Sequence, residues 1–269
     1  MHIQTSDRKT MNLTVLGSNS AVPTINSFQS SQLLELADDI FLIDCGEGTQ
    51  IRLRQFASKK AGKISHVFIS HAHIDHFIGL PGFLNLLSLQ YKRTSPIQIH
   101  APKEVLVLLE NMISMLRIRS DFEIITHEID TKSSYIIHKS EKIQVTTLPL
   151  IHGIQACGFL FEEICDDLYV KHYAYCSDTG YCESLIPLLK NIEMLYHEAT
   201  YSEREAAKAL QYGHSTAKQA ATLAKKANAR QLLIGHYAGK YANPAILLEE
   251  AKSVFYNTIA VYDGFTINT

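Results

Sequence analysis

Three imidazoles and a carboxylate crowd the segment Ser70-His71-Ala72-His73-Ile74-Asp75-His76, directly after the apolar run "HVFIS". A run of that length and composition reads as a buried strand, so the cluster sits where a rigid strand gives way to a loop. A single coordination sphere cannot easily take all four groups, because close neighbours in a chain point different ways. Two adjacent ions can: His71 and His73 share a face and suit one ion, while Asp75 and His76 turn toward a second. Neutral imidazole with carboxylate is a donor set for zinc, and manganese also fits it. The fold must therefore bring further ligands to the end of this strand. A His-rich loop that merely caps a helix would leave the close succession of Asp75 and His76 without a reason.

The rest of the sequence excludes several classes. No apolar run approaches the roughly 18 residues that span a bilayer. The 269 residues carry a formal charge of −2, so no overall basic field advertises nucleic acid. Hydrophobic residues make up 46 % and charged residues 19 %, a balance that supports a sizeable core. Cys45, Cys157, Cys165, Cys176 and Cys182 are odd in number and form no C-x-x-C pair, which points to reduced thiols and a cytoplasmic protein. Residues 1–10 read as a polar lead-in without the apolar middle of a signal peptide. No linker, low-complexity segment or strong repeat divides the chain, so one domain over residues 1–269 is expected.

The runs "NLTVLG", "QLLELA" and "IFLIDCG" predict strands, and a helical pattern follows Gly48. After the cluster, "LPGFLNLLSLQY" and "PKEVLVLLENMISMLRI" predict helices, the second with Pro102 at its start. "FEIITHEI", "SYIIHKS" and "IQVTTLPLI" return to strand. The second half repeats this order. Strands at "GFLFEE" and "LYVKHYAYCSD" precede a short helix at "ESLIPLLK" and a strand at "IEMLYHEAT". A long helical region follows, in which Thr216 and Gln219 form a capping box. "QLLIGHY" predicts a strand, "PAILLEEAKSVF" a helix and "IAVYDGF" a closing strand. Two β-rich layers with helices on their outer faces are expected.

Three later residues complete a two-ion site, each at the end of an apolar run: His152 after "VTTLPLI", Asp178 after "YAYCS" and His236 after "LLIG". Rigid scaffolds usually present site residues at such ends. A lone His there is ordinarily packed or capping, and it is the cluster that makes these three ligands. The expected assignment gives His71, His73 and His152 to one ion and Asp75, His76 and His236 to the other, with Asp178 bridging. Ions about 3.5–4 Å apart activate a shared water and clamp the attacking and leaving oxygens of a phosphoryl group. Asp75 can accept that water's proton as well. Asp44 is expected to support a ligand or cap the Gly46-Glu47-Gly48 turn, and not to bind metal.

"SHAHIDH", with "LIDCGEG" upstream and His152, Asp178 and His236 downstream, resembles the metallo-β-lactamase fold over essentially the whole chain from Asn12. The resemblance implies an α/β, four-layer αββα sandwich with a binuclear site at one edge. Within that superfamily, "DCGEGTQIRL", "HIDHFIGLPGFL" and the pairing of "HEATY" with "GHSTAKQAA" are similar to ribonuclease Z, the endonuclease that trims tRNA 3′ ends. This implies that Glu198 orients His214 and that His214 donates a proton to the leaving 3′ oxygen while metal-bound hydroxide attacks phosphorus. On their own, Glu198 would read as a surface carboxylate and His214 as a loop residue before the Thr216 cap. The resemblance also implies a precursor tRNA substrate and a homodimer.

Two features depart from that pattern. Bacterial ribonuclease Z usually carries a long basic arm between the equivalents of His152 and Asp178, but here only residues 153–177 intervene, with no Pro and a single Lys171. That span suffices for two strands and a turn. The last motif reads "GHYAGKY", in which Lys240 is a candidate contact for a substrate phosphate. Arg52, Arg54, Lys59, Lys60, Lys63, Lys92, Arg93, Arg117 and Arg119 can contact phosphates or form solvated helix faces. His2, His66, His100, His127, His138, His172 and His197 have no expected place as ligands. A metal-dependent phosphodiesterase acting on precursor tRNA is the leading expectation, and one acting on small or cyclic nucleotides is the alternative favoured by the missing arm. Hydrolysis of β-lactams or thioesters fits the "GLPG" continuation poorly, and a non-catalytic scaffold fits poorly with an intact ligand set.

Overall fold

Apolar residues alternate along the strands with a period of two, yet both alternating sets are buried, which requires each sheet to be covered on both faces. In the strand Asp39–Cys45, Phe41 and Ile43 point into one core while Leu42 points into another. A computed structural model describes residues 11–165, 168–241 and 243–269, so the polar lead-in lies outside the described residues.

One sheet contains β1 (Asn12–Gly17), β2 (Ser31–Leu36), β3 (Asp39–Cys45), β4 (His66–Phe68), β5 (Ile97–Ala101) and β6 (Ile124–Glu128). The other contains β7 (Ile136–Lys139), β8 (Ile143–Pro149), β9 (Cys157–Cys165), β10 (Leu168–Cys176), β11 (Met194–Glu198), β12 (Gln231–Gly235) and β13 (Thr258–Ala260). β14 (Thr266–Asn268) returns to the first sheet beside β1. The strand orders are β14-β1-β2-β3-β4-β5-β6 and β13-β12-β11-β10-β9-β8-β7. β3 to β6 run parallel, as do β10 to β13, and the remaining pairs are antiparallel.

Leu13, Phe41, Phe68, Phe159, Tyr173 and Leu233 belong to the core between the two sheets. The helices α1 (Thr49–Phe56), α2 (Ser58–Ala61), α3 (Ile74–Phe77), α4 (Leu80–Leu89) and α5 (Lys103–Met115) follow strands of the first sheet and close its outer face mainly through Leu53, Ala61, Phe77, Leu84, Leu87 and Val105. The outer face of the second sheet is covered by α7 (Ala217–Lys226) and α8 (Ala245–Lys252), while α6 (Ala206–Tyr212) precedes them. α7 starts where expected, with the Thr216 side chain accepting from Gln219 N and the Gln219 side chain accepting from Thr216 N. The result is an αββα sandwich.

Some expectations are corrected. "ESLIPLLK" forms only a 3-10 turn at Glu183–Leu185, because Pro187 lacks the N–H that a continued helix needs. "IAVYDGF" does not form one closing strand. β13 ends at Ala260, and Asp263 instead accepts hydrogen bonds from Ser18 N and Phe28 N at 2.9 and 2.7 Å, turning the chain into β14. Arg52 and Arg93 are buried rather than available to phosphate. Arg52 pairs with Asp263 at 3.1 Å, and Arg93 donates to four backbone carbonyls, among them Ile64 O at 2.7 Å. Cys45, Cys157, Cys176 and Cys182 are buried free thiols. No helix among the described residues is long and apolar enough to cross a membrane.

Candidate metal centre

The carboxyl ends of the parallel strands in both sheets meet at one edge, the usual location of sites in open α/β sheets. Ser70 and His71 follow β4, Asp44 lies near the end of β3, and Asp178 follows β10. Glu198 ends β11, and His236 follows β12. Cys157 N donates to Ser70 O at 3.1 Å, joining the two sheets beside the site. The two motif loops pass in contact: Gly79 N donates to Cys45 O at 2.8 Å, and a Cβ on Gly79 would lie 2.1 Å from Gly46 O. Only glycine allows that approach. Asp44 and His236 both hold positive φ angles, 54° and 60°, rarely adopted by residues with a side chain and often associated with functional sites.

Two groups of side chains converge here. His71, His73, His152 and Asp178 form one, and Asp75, His76 and His236 form the other, with ligand atoms within 4.8 Å of one another in each group. His73 Nδ1 lies 3.1 Å from both His71 Nε2 and His152 Nε2. Asp178 lies between the groups. Its Oδ2 is 3.5 Å from His71 Nε2 and 3.8 Å from His152 Nε2, while its Oδ1 is 3.4 Å from His76 Nε2 and 3.2 Å from His236 Nε2. All seven residues that the sequence singled out as ligands are thus brought to one place.

The outer nitrogens explain why the inner ones face inward. His76 Nδ1 donates to Asp44 Oδ2 at 2.7 Å, and His152 Nδ1 donates to Gly213 O at 2.8 Å. Ser70 Oγ donates to Asp44 Oδ2, so it accepts from His71 Nδ1 at 2.9 Å. By the same logic Thr200 Oγ1 donates to Glu198 Oε2 and accepts from His236 Nδ1 at 2.9 Å. Four imidazoles thus carry their proton on Nδ1 and turn a bare Nε2 inward, as metal-bound histidines do. His76 Nε2, His236 Nε2 and Asp178 Oδ1 are buried and have no hydrogen-bond partner. Unsatisfied buried polar atoms are expensive, and three pointing at one spot fit a cation.

The charges agree. Burial pushes His71 down to about 4 and also lowers His73 and His152, so all three are neutral donors at pH 7. Burial opposes charge on His76, but Asp178, Asp75 and Asp44 outweigh it and hold its pKa well above the usual range. Burial likewise opposes the charge of Asp178, but His236, His76 and His71 keep it ionised.

Glu198 and His214 stand at the rim of this centre. Glu198 is fully buried, and Oε1 accepts from His214 Nδ1 at 2.8 Å, Ser215 N at 3.0 Å and Thr179 N at 3.1 Å. His214 offers a ring nitrogen within 4.8 Å of ligand atoms on Asp178 and His236. Burial lowers its basicity, but Glu198 more than compensates and raises His214 to about 9. The geometry therefore holds a proton beside the two-group cluster.

Comparison with known proteins agrees with this geometry. Residues 40–237 match the beta-lactamase superfamily domain. Ribonuclease Z of Porphyromonas gingivalis is 36 % identical, the alignment covering 94 % of this chain and 97 % of that protein. Ribonuclease Z of Bacteroides fragilis is also 36 % identical, over 95 % of this chain and 98 % of that protein. The crystal structure of human tRNase Z, short form, is 28 % identical with a TM-score of 0.82, covering 95 % of this chain and 98 % of that one. The chain belongs to the ribonuclease Z family. Like others of the family, it is a metal-dependent hydrolase on the metallo-β-lactamase fold. The P. gingivalis alignment runs over 300 positions, more than the 269 residues of this chain, so that ribonuclease Z carries insertions absent here. Between His152 and Asp178 the described residues form β9 and β10.

Lys240 lies one ring away from His214. It is paired with Glu205, and its ammonium sits 5.6 Å from the centre of the Tyr201 ring, which is itself 6.0 Å from the His214 ring. Sequence reasoning missed Ser70, Tyr175 and Thr200, which orient the centre through hydroxyls. Tyr175 donates to Asp44 Oδ2 at 2.6 Å. The one available signal was their position beside strand ends that carry carboxylates.

Proposed function

We propose that this chain is a ribonuclease Z-type endoribonuclease that processes the 3′ ends of precursor tRNA, working as one domain with two divalent ions, zinc or manganese. His71, His73 and His152 would hold one ion, Asp75, His76 and His236 the other, and Asp178 would bridge them. The observation that carries this reading is the placement of Asp178, whose two oxygens face different histidine groups. When bound, such ions supply an activated water and neutralise charge on phosphoryl oxygens. The chain's own residues do the rest. Asp75 accepts a proton, being an ionised carboxylate 3.5 Å from His236 and 3.6 Å from His76. His214 delivers a proton to the departing 3′ oxygen, and Glu198 keeps that proton in place and aims the ring. Lys240, paired with Glu205 and one ring away from His214, would contact a substrate phosphate. Two open clefts border the centre, one of about 510 Å³ lined by Ile74 and Gly79 and one of about 520 Å³ lined by His152 and Gly153. A cytoplasmic homodimer completes the proposal.

The alternative substrate is a small or cyclic nucleotide phosphodiester, favoured by the β9–β10 hairpin where family members usually carry an RNA-gripping arm. Comparing turnover of a precursor tRNA bearing a 3′ trailer with that of a small aryl phosphodiester separates the two. Cleavage at the trailer junction is the expected result; cleavage of the small ester alone would remove the tRNA assignment.

A further inference from the structure

A second histidine cluster lies inside the sandwich, away from the proposed centre. His66 opens β4, His100 belongs to β5, and His138 belongs to β7 of the opposing sheet. His71 lies five positions after His66 along largely extended chain, about 16 Å away. Each of His66, His100 and His138 offers a ring nitrogen, and the three nitrogens lie within 4.8 Å of one another. His66 Nδ1 and His100 Nε2 are 3.1 Å apart, and the His66 and His138 rings are 4.1 Å apart. His66 and His100 are 6 % and 1 % exposed.

An ordinary core would place apolar side chains here, as the neighbours Phe41 and Phe68 do. Hydrogen bonding within the cluster does not close either. His66 and His100 can share one hydrogen bond, and His100 Nδ1 is buried without any partner. His127 does not complete the set, because its Nε2 donates to Gln98 Oε1 at 3.0 Å while its ring stacks on His100 at 4.4 Å. Burial pushes His66 down to about 3 and His100 down to about 2, helped in each case by neighbouring imidazoles. These side chains are therefore neutral donors across the physiological range. Tetrahedral zinc with nitrogen at about 2.0–2.1 Å needs donors roughly 3.4 Å apart, a spacing between the 3.1 Å of the His66–His100 pair and the 4.8 Å within which all three nitrogens fall.

We propose that His66, His100 and His138 form a structural metal site for a zinc-class ion, clasping the edge strand β7 to β4 and β5. Three neutral imidazoles without thiolate suit zinc, copper, nickel or cobalt better than magnesium or calcium. β7 is four residues long and, among the described residues, pairs only with β8, so a cross-sheet tie at His138 would fix an otherwise weakly held edge.

The test uses the full chain, stripped with chelator, reloaded with zinc alone and passed over a sizing column before metal analysis. His138→Ala is the deciding variant, because His138 is half-buried on an edge strand and its loss leaves the core in place. His100→Phe, which extends the Phe68 stack, is the second variant. Each is expected to bind one zinc ion fewer per chain than the unmodified protein. Zinc retained by an Asp178→Ala, His236→Ala variant should show nitrogen-dominated coordination by X-ray absorption. Equal zinc content in His138→Ala and the unmodified protein overturns the site, as does a difference seen only at millimolar zinc. If the catalytic assignment fails instead, both proteins lose those ions together and the difference of one persists.

Discussion

Replacing Glu198 by Gln removes one negative charge and almost no volume from a fully buried position. The carboxylate accepts hydrogen bonds at 2.8, 3.0 and 3.1 Å on Oε1 and at 2.7 and 3.0 Å on Oε2. An amide must turn its NH₂ toward one of these sets. Facing Thr200 is cheaper, because that hydroxyl can rotate to accept, but Thr200 N–H is then left buried without an acceptor. One unsatisfied donor and weaker bonds at Oε1 amount to about 2–4 kcal/mol of lost stability, which a domain of this size tolerates. The chemical consequence is larger. His214 loses the anion that raises its pKa to about 9, and its proton is no longer held in place. Loss of general-acid assistance lowers the rate roughly 10²–10⁴-fold. Single-turnover cleavage of precursor tRNA measures this directly. An aryl phosphodiester provides the control, because its phenolate departs without a proton and the same variant should cleave it at close to the normal rate. Equal loss on both substrates would mean that Glu198 acts only on the fold or the metal centre, and no loss on either would remove the Glu198–His214 pair from the reaction.

Asp44→Asn weakens the acceptor that fixes His76, and a chelator competition should show metal affinity reduced about 10- to 100-fold. Removing metal from the unmodified protein should abolish cleavage and lower the melting temperature by roughly 10 °C at metal concentrations near 1,000 times Kd, read by a thermal melt with and without chelator. A pH dependence follows from His66 and His100, which titrate at about 3 and about 2 in the folded chain and near 6.5 when unfolded. The unfolded state binds more protons between those values, so the stability due to these neutral side chains is fully present above about 6.5 and is lost as pH falls. In metal-free protein, urea midpoints should therefore drop from pH 7 to pH 5, and a His66→Phe, His100→Phe variant should show a flatter profile; identical profiles would contradict the burial argument.

Much of the candidate site was legible because its chemistry is local. His71 to His76 are contiguous, and His152, Asp178 and His236 each follow an apolar run long enough to identify a strand. The sandwich was legible for the same reason, through the alternation of strand and helix signals. What escaped the sequence depends on contacts between distant segments. Arg52 looks like a solvated helix residue until Asp263 arrives beneath it. "IAVYDGF" looks like one strand until Asp263 is claimed by Ser18 and Phe28. His66, His100 and His138 are solitary in their strands, and only the register of β4 against β5 and the packing of β7 across the sandwich bring them together. Thr200 and Ser70 carry no signal of their own, because an orienting hydroxyl is defined by what it bridges.

Anomalous diffraction at the zinc edge, from crystals of the zinc-loaded chain, tests the central assignment most directly. Two maxima are predicted about 3.5–4 Å apart on either side of Asp178, one against His71, His73 and His152 and the other against Asp75, His76 and His236. A single maximum at this edge of the sandwich, or a pair that Asp178 does not touch, would contradict the account.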